Sequence, residues 1–484
     1  MGGGRRFPSY IPSRKEYVVT FEEPHDPLHP QNWATWRKFY VSFVACSGTF
    51  VVSLNSAIFA AGETQAREEF RVGRVVAALG TSLFVLGFAF GPLIWAPSSE
   101  LVGRRWPLWI GLLGSSIFTI GSATSKDIQT LIACRFFAGV FGASPLCVVP
   151  AVLADMYNDN YRGMAIQFYA LTVFGGPFIA PIVGDYITAS YLGWRWTLYL
   201  PAIFGFADFV CMLIFLHETF APLTLVGKAQ RLRRQTGNWA IHADHEKVEH
   251  DLDAIMRKYL TRPLRMLVAE PIVLLVSVYM SFIYGLVYAL LKAYPYVFGQ
   301  VYGMPMGARS LPFLGLFLGI LLALLFILSQ HCSYIRKLET NNGKVVPEWR
   351  LGPPIFGAVI FPVGLFWFAW TGFTENIHWV SPVIAGVFIG FGVLCIFLPC
   401  FNYLIDAFLP LAASTVAANI MLRSAVAAVF PLFSTQLFEN LGTQWAGTLL
   451  SCLATVMIPI PVVFKAYGPQ LRGTSRILKE VLIV

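Results

Sequence analysis

The sequence has few charged residues for its length. Charged side chains make up 13% of the 484 residues and hydrophobic ones 56%, with a mean hydropathy of +0.63, whereas about 25% charge is usual in soluble proteins. A soluble chain of this length would form two or three domains with polar surfaces, and too little charge is present to cover them. Apolar runs of about 17–25 residues recur instead, the length that crosses a bilayer as a helix. The chain is therefore predicted to be an all-α integral membrane protein.

The signatures of disulfide-stabilised proteins, metal centres and enzymes are also missing. The histidines of HADHEKVEH (His242, His245 and His250) lack a rigid scaffold, so no metal site is expected there. No nucleophile–base pair and no phosphate-binding loop stands out, so neither an enzyme nor a cofactor is predicted. Most cysteines lie inside apolar runs, as buried thiols do, rather than at the spacings of a disulfide framework; these are Cys46, Cys134, Cys147, Cys211, Cys395, Cys400 and Cys452.

Twelve apolar spans are predicted along the chain. Because this number is even, both termini are expected on the same side of the membrane. The eleventh span is the least regular, since it contains Asn419 and Arg423. The spans are 40–62, 75–95, 107–123, 128–154, 164–187, 197–216, 272–297, 311–329, 353–371, 380–403, 411–437 and 443–464.

The distribution of basic residues predicts the orientation. Arg135 and Arg423 fall within spans, and seven basic residues fall on the side opposite the termini, namely Arg67, Arg71, Arg74, Lys126, Arg195, Lys292 and Arg309. All other Lys and Arg residues lie on the side of the termini. By the positive-inside rule, both termini are expected in the cytosol, with the plasma membrane as the expected location. The net charge of +9 then reflects membrane topology, and no nucleic-acid partner is expected.

One long polar segment divides the spans into two sets of six. The expected divisions are a cytosolic tail (1–39), a first six-helix bundle (40–216), a central loop (217–271), a second bundle (272–466) and a cytosolic tail (467–484). The first tail is polar and rich in proline, which argues against a cleavable signal peptide. Within the central loop, KAQRLRRQTGN is either a basic amphipathic helix on the inner leaflet or a solvated linker.

Charged residues within spans are candidates for function, because each costs about 3 kcal/mol or more at the bilayer centre. Arg135, Asp185 and Asp208 are candidates for proton coupling. Asp208 has no basic residue in its own helix, and a carboxylate in such a place can carry a proton. For Arg135 the alternative is a structural tie to a neighbouring helix, and for Asp208 a neutral, hydrogen-bonded acid.

The loop after the second span is a candidate conformational gate. It reads APSSELVGRR at 96–105, with Glu100 near Arg104 and Arg105 and a tight turn permitted at Gly103. Such a charge cluster can hold two helices together in one conformation and release them in another. Anchoring at the lipid headgroups is the alternative.

Two further spans have distinctive patterns. The fifth contains GGPFIAPIVG, in which Gly176, Pro177, Pro181 and Gly184 predict a kinked helix with a smooth packing face. In the seventh, Tyr284 and Tyr288 are four residues apart and share a face that suits a planar ligand. The first, fourth, fifth, seventh and eleventh spans are expected to line a substrate cavity, with Asn55, Tyr284, Tyr288, Asn419 and Arg423 as its candidate residues.

Several stretches together resemble the major facilitator superfamily, in the form of the fungal twelve-span drug:proton antiporters. GPLIWAPSSELVGRR resembles motif A, RFFAGVFGAS (135–144) resembles motif B, and GGPFIAPIVG resembles motif C, the antiporter signature. The similarity extends over DPLHPQNW, GWRW, HETFAPLTL, YGLVYALLKAYPYVF, PEWRL, AANIMLRS and YGPQLRGTSR, and thus over residues 26–476.

The resemblance implies two six-helix bundles, alternating access and proton-driven export of a hydrophobic or cationic drug, toxin or secondary metabolite, by a protein that acts as a monomer. Ala96 and Leu101 depart from motif A, where a glycine and a basic residue are usual, and Ala180 and Asp185 replace glycines of motif C. A nutrient importer of the same fold is the main alternative, and a membrane enzyme or receptor is a remote one. The substrate itself is not specified by the sequence.

Overall fold

The computed structural model describes residues 17–22, 26–247, 261–341, 346–408 and 411–473, so parts of both expected tails and of the central loop, including His250, lie outside the described residues. The first half contains α1 (Thr35–Phe70), α2 (Arg74–Leu101), α3 (Arg105–Ala123), α4 (Ile128–Met156), α5 (Asp159–Ala189) and α6 (Trp196–Phe215). The central segment contains α7 (Ala221–Thr236) and α8 (Arg262–Ala269). The second half contains α9 (Pro271–Tyr294), α10 (Phe313–Thr340), α11 (Gly352–Thr371), α12 (Val380–Ala407), α13 (Ala412–Val456) and α14 (Pro459–Gly473).

The described helices give twelve membrane crossings. Eleven helical segments are long and apolar enough to cross a bilayer, and the last runs from Ser414 to Arg472. At about 1.5 Å per residue that segment is far longer than one crossing needs. Gly442, within α13, has φ 74° and ψ 163°, which breaks the helix into two. The break falls between the eleventh and twelfth spans expected from the sequence, so the predicted all-α fold of twelve spans is confirmed.

The helices pack in the same pattern in the two halves. In the first half α1 packs on α5 and α6, α2 on α4, and α3 on α4 and α6. In the second half α9 packs on α13, α10 on α12, and α11 on α12 and α13. The halves meet where α2 contacts α13 and α5 contacts α10. The interface between the halves is therefore formed by equivalent pairs of helices, while the exact domain boundaries stay a prediction.

Glycines permit the closest helix contacts, again at matching places. A Cβ at Gly139 of α4 would lie 2.0 Å from the carbonyl oxygen of Phe84 in α2. In the second half, a Cβ at Gly390 of α12 would lie 2.1 Å from the carbonyl oxygen of Leu316 in α10. Since these neighbours are backbone atoms, no side-chain adjustment would relieve the contact. Small residues that let backbones approach closely are typical of helix–helix interfaces within a bilayer, where van der Waals packing contributes to association.

The N-terminal segment and the central segment are fastened to each other. Lys228 of α7 donates to a carboxylate oxygen of Asp26 at 2.9 Å, and Val18 forms an isolated bridge with His242. The Lys228 ammonium, together with the backbone N–H groups of Leu28 and Glu22, holds the pKa of Asp26 below its usual value. Part of the basic stretch expected to lie on a membrane or in solvent is thus engaged by the protein's own carboxylates.

We expect Gly139→Ala to destabilise the protein, because the added methyl group has no space between α4 and α2. Overpacking of this kind costs about 1–3 kcal/mol, so the melting temperature in detergent should fall, as measured by fluorescence-detected size exclusion after heating. Gly227→Ala in α7 is the matched control, since its Cβ would have nothing within 4 Å. Equal melting temperatures for the two variants would contradict the packing role.

Candidate functional site

Two cavities lie at opposite ends of the interface between the halves. We define the N side as the membrane face where α1 begins and the far side as the face where α1 ends. The far-side cavity has a volume of about 400 Å³, and Glu63, Asp185, Lys292, Arg309 and Glu439 are among its lining residues. The N-side cavity has a volume of about 200 Å³, and Glu100, Arg104, Cys147, Phe401 and Ile420 are among its lining residues.

A plug of aromatic and polar side chains lies between the cavities. The Ser56 hydroxyl of α1 is 2.9 Å from the Tyr288 hydroxyl of α9 and joins the two halves. Tyr284 lies one turn earlier, with its hydroxyl 3.4 Å from that of Tyr288. Phe174 of α5 meets Phe397 of α12 edge to face, with 4.7 Å between ring centroids. The two expected cavity tyrosines therefore lie in the barrier between the cavities and are buried.

Arg135, the arginine of the motif B-like stretch, is fully buried and its hydrogen bonds are made within the first half. Its Nε donates to the Gly80 carbonyl at 2.8 Å, and its two Nη atoms donate to the side-chain and backbone oxygens of Asn55 at 2.9 and 3.0 Å. Asn55 in turn donates to Thr119 at 2.8 Å. Arg135 thus links α4 to α1 and α2, and Asn55 faces this network. Their roles in coupling and substrate binding stay predictions.

Arg423 has a different environment. It is 2% exposed, and its guanidinium carbon lies 5.1 Å from the Tyr284 ring centroid and 4.9 Å from that of Phe397. No described residue accepts a hydrogen bond from its Nε. Asn419, one turn earlier, donates to Ser277 at 3.1 Å, and its side-chain oxygen has no partner among the described atoms. Arg423 and Asn419 therefore bring unused polar atoms to the second half of the plug.

Ion pairs join the two halves on the far side. Lys292 of α9 is paired with Glu63 of α1. Asp185 of α5 accepts from Arg309 Nε at 2.8 Å and from its Nη2 at 2.9 Å, and also from the Ser310 hydroxyl. Because Asp185 is buried, its charge depends on these partners. We call these two pairs the far-side latch.

A third pair crosses the same interface, between Arg74 and Glu439 at 2.5 Å. Both of its side chains are exposed, at 60% and 36%. An ion pair in water contributes about 0–1 kcal/mol. The Arg74–Glu439 pair therefore adds little to the latch and provides a useful comparison for it.

The motif A-like loop is held by carboxylates from other parts of the chain. Arg104 Nε donates to Asp155 at the end of α4, at 3.0 Å, and its Nη1 donates to the Ser99 hydroxyl at 3.0 Å. Glu218 accepts from the backbone N–H groups of Arg104 and Arg105 at 2.9 and 3.2 Å, at the N-terminus of α3. Negative charge is stabilised at that end of a helix. The loop is thus tied both to α4 and to the central segment.

The remaining residues of this loop are positioned as follows. Gly103 has φ +93° and a Cβ there would lie 2.5 Å from a Glu218 carboxylate oxygen, so two independent constraints require glycine. Arg105 stacks over the Trp109 ring at 3.9 Å. Glu100 lines the N-side cavity beside Arg104. The structure therefore brings the four expected gate residues to one corner of the N side, and their gating role stays a prediction.

The motif C-like stretch packs α5 against α1. A Cβ at Gly176 would lie 2.6 Å from the backbone nitrogen of Leu54, and one at Gly184 would lie 2.7 Å from the Ala61 side chain. Pro177 and Pro181 are within α5, and Pro181 lines the far-side cavity. The small residues thus place the Asp185 end of α5 directly beside α1.

Asp208 lies between α6 and α1. One carboxylate oxygen accepts from the Ser47 hydroxyl at 2.5 Å, and the other has no partner among the described atoms. The nearby Gly48 leaves the space for this carboxylate and for the Met212 side chain. Asp208 is buried and is not among the lining residues of the two cavities.

Some residues at these sites were not singled out by the sequence analysis. Lys292 and Arg309 of the latch and Asp155 and Glu218 at the motif A-like loop are all charged residues at or near helix ends. Their position at span ends was the only sequence feature that could have identified them as site residues. That feature is not specific, because a charged side chain at a span end can also simply reach into water. The pairing partners are distant in sequence and become visible only in the fold.

Comparison with known proteins agrees with this architecture. Residues 45–431 match the family described as the Major Facilitator Superfamily. The chain is 47% identical to the multidrug transporter TPO1_2 of Candida glabrata over 98% of this chain and 82% of the relative. It is 45% identical to the multidrug transporter FLU1 of Candida albicans (98% and 78% covered). It is also 41% identical to the citrinin biosynthesis cluster transporter mrr1 of Monascus ruber (95% and 92% covered).

Solved structures share the fold at low sequence identity. The proton:xylose symporter XylE superposes with a TM-score of 0.65 at 16% identity, over 90% of this chain and 96% of the symporter. The family match over residues 45–431 and the relatives at 41–47% identity show that this chain belongs to the Major Facilitator Superfamily. It is a multi-pass membrane transporter with fungal multidrug and secondary-metabolite transporters as homologues, and not an enzyme.

We expect Lys292→Met to weaken the far-side latch. Removing one partner leaves Glu63 charged and nearly buried, at a cost of about 3–5 kcal/mol, so conformations that expose this side to water should become more populated. A cysteine placed at Thr64, which lines the far-side cavity, reports this as faster labelling by a membrane-impermeant maleimide when the native cysteines are replaced.

Arg74→Met is the matched control, because it removes the exposed pair on the same interface. A labelling rate that rises equally in both variants, or in neither, would show that the Glu63–Lys292 pair does not hold the far side closed.

Proposed function

We propose that this protein exports hydrophobic small molecules, of the drug or secondary-metabolite type, by proton antiport with alternating access. In this proposal the N side faces the cytosol and the protein acts in the plasma membrane. The observation that carries the proposal is the plug between two cavities on opposite membrane faces. A substrate that occupied the plug region would have access to one face at a time.

The contacts across the plug fit a barrier that can be dismantled. Between the halves, the plug contains one short hydroxyl–hydroxyl contact, Ser56 to Tyr288, and edge-to-face aromatic contacts such as Phe174 with Phe397. An aromatic pair of this kind contributes about 0.5–1.5 kcal/mol beyond area burial. A bound aromatic or aliphatic molecule can replace the aromatic contacts, while the Ser56 hydroxyl keeps its bond to the Ser53 carbonyl and Tyr288 keeps its contact with Tyr284, which favours hydrophobic substrates.

The far-side latch supports alternation between two states. Its ion pairs hold the halves together at the end of the interface where α1 and α5 meet α9 and α10. Opening the far side requires each pair to separate and to exchange its partner for water. Since binding energy from substrate or proton has to offset that cost, the latch makes the conformational change dependent on ligand.

The relatives support the type of substrate. Their names describe multidrug transport and a place in a biosynthesis cluster, and we propose that this chain transports such compounds outward. The predicted orientation rests on the excess of basic residues on the N side. The sequence expectation also included cations, but the charged group described next to the plug is Arg423, so cations are left out of the proposal.

Asp208 and Asp185 are the carboxylates proposed for proton coupling. Asp185 is paired with Arg309, whereas Asp208 is bonded to the neutral hydroxyl of Ser47. A buried carboxylate without a cation nearby is the one more easily kept protonated. We therefore propose Asp208 as the proton carrier and Asp185 as a latch residue; the alternative for Asp208 is a neutral acid that ties α6 to α1.

Export should depend on the proton gradient. Cells that express the protein are expected to lose a preloaded fluorescent hydrophobic compound faster than cells without it, and a protonophore should abolish the difference. If efflux continues unchanged after the gradient is dissipated, with cellular ATP held constant, the antiport mechanism is wrong even though transport itself remains.

Asp208→Asn is expected to flatten the dependence of efflux on external pH, because the amide keeps a hydrogen bond to Ser47 but cannot exchange a proton. Ser47→Ala is the matched control, since it removes the same contact and leaves the carboxylate. Initial efflux rates measured across a series of external pH values, at equal protein in the membrane, distinguish the roles. A pH profile of normal shape in Asp208→Asn would return the residue to a packing role.

A further inference from the structure

The two arginines buried within the bundle differ in whether their charge is satisfied. Arg135 uses its Nε and both Nη atoms in hydrogen bonds of 2.8–3.0 Å to oxygens of Gly80 and Asn55. Arg423 is equally removed from solvent at 2% exposed. In the part of the chain that the structure describes, Arg423 has neither a hydrogen-bond acceptor nor a carboxylate partner, and its guanidinium lies over two aromatic rings.

The two carboxylates that the sequence analysis placed within spans, Asp185 and Asp208, have other partners. Asp185 is bonded to Arg309 and Ser310 on the far side, and Asp208 to Ser47 at the α6–α1 contact. Ring faces offset part of a cation's charge but provide no oxygen lone pair for its N–H groups, of which a guanidinium has five. A buried arginine in this state lacks an anionic partner.

Arg423 is not among the lining residues of the N-side cavity but follows one of them closely along α13. It lies one helical turn beyond Ile420, which lines the N-side cavity together with Cys147 and Phe401. Cys147 is close enough to interact electrostatically with Arg423. The Phe401 ring is parallel to that of Phe397, with centroids 6.4 Å apart, and Phe397 in turn lies under Arg423. The rings of Phe401 and Phe397 thus lie in sequence between the cavity and the guanidinium.

The chemistry next to Arg423 defines one kind of molecule. Tyr284, Phe397 and Phe174 provide apolar ring contacts, and Arg423 provides a cation whose planar fork matches a carboxylate. The Tyr284 and Tyr288 hydroxyls add polar atoms beside it. We propose that Arg423 binds the acidic group of the transported molecule, and that the preferred substrates are aromatic compounds with a carboxylate. This inference deepens the proposed export function and rests on it.

The membrane potential favours export of such a molecule. With the cytosol negative, moving an anion outward is driven by the potential, and each proton that returns inward is driven the same way. An anionic substrate therefore adds to the driving force of the exchange, whereas a cation would subtract from it. A positively charged site at the N-side end of the plug is consistent with this sign.

Binding to the purified protein tests the charge preference without a proton gradient. The probes are 7-methoxycoumarin-3-carboxylate, its neutral carboxamide and the lipophilic cation tetraphenylphosphonium, titrated against the full chain in lipid nanodiscs. The carboxylate is expected to bind ten- to hundredfold more tightly than the carboxamide, the range for a hydrogen bond to a charged group. Equal binding of the two coumarins, or tighter binding of the cation, would overturn the proposal.

Variants at Arg423 test whether this residue causes the preference for carboxylate over carboxamide. Arg423→Gln should bind carboxylate and carboxamide equally while retaining the affinity for the carboxamide, which also shows that the variant is folded. Arg423→Lys keeps the charge and should retain at least a threefold preference for the carboxylate; if it loses this preference while still binding the carboxamide, the charge is not the determinant. Arg234→Gln in α7 is the matched control, since it removes an exposed arginine outside the bundle and should keep the preference.

The same measurements separate this inference from the export function. A carboxylate preference that persists in nanodiscs, combined with efflux that ignores the proton gradient in cells, leaves the anion site intact and removes the antiport mechanism. Conversely, proton-driven efflux of neutral compounds by a protein without a carboxylate preference would support the antiport mechanism and contradict the anion site.

Discussion

The structure of the first half depends on the hydrogen bonds that neighbouring helices provide to the buried guanidinium of Arg135. No water is at hand in the hydrocarbon region to replace a missing hydrogen bond, so the guanidinium requires acceptors supplied by neighbouring helices. Gly80 and Asn55 provide three of them. These hydrogen bonds tie α4 to α1 and α2, and the close α2–α4 contact at Gly139 lies in the same half. Both contacts link helices within the first half.

Arg423, the second buried arginine, is subject to the same lack of water but has a different set of neighbours. Arg423 is placed by α13 at the interface between the halves, where its neighbours are rings and hydroxyls. The first half thus contributes to the bundle a cation with three hydrogen bonds, and the second half contributes one beside the barrier whose Nε has no acceptor among the described residues. Tyr288 lies near enough to both to interact with each electrostatically. The transport proposals all concern the narrow region between them, with the latch residues at one end and the motif A-like loop at the other.

The spans were predictable because the length of an apolar run is a local property of the sequence. Helix ends were less so: α1 runs from Thr35 to Phe70, beyond the apolar run expected at 40–62, since a helix continues while its backbone groups stay paired. Pairings across the halves were not predictable. Glu63 and Lys292 are separated by 229 positions, and which helix faces oppose each other depends on tertiary packing. Likewise, Arg135 and Arg423 cannot be distinguished in a single sequence. They differ in the fold, because Arg135 has hydrogen-bond acceptors and the Nε of Arg423 has none among the described residues.

The contacts between the N-terminal segment and the central segment attach part of the central segment to the first half. From Glu218 to Lys228 it is bonded to the α2–α3 loop at one end and to Asp26 at the other, and His245 reaches the Leu101 carbonyl at 3.3 Å. This part of the connection is a brace built onto the first half. The described chain resumes at Thr261, and α8, which follows, packs on α9 and α13, so the two described parts of the central segment belong mechanically to opposite halves.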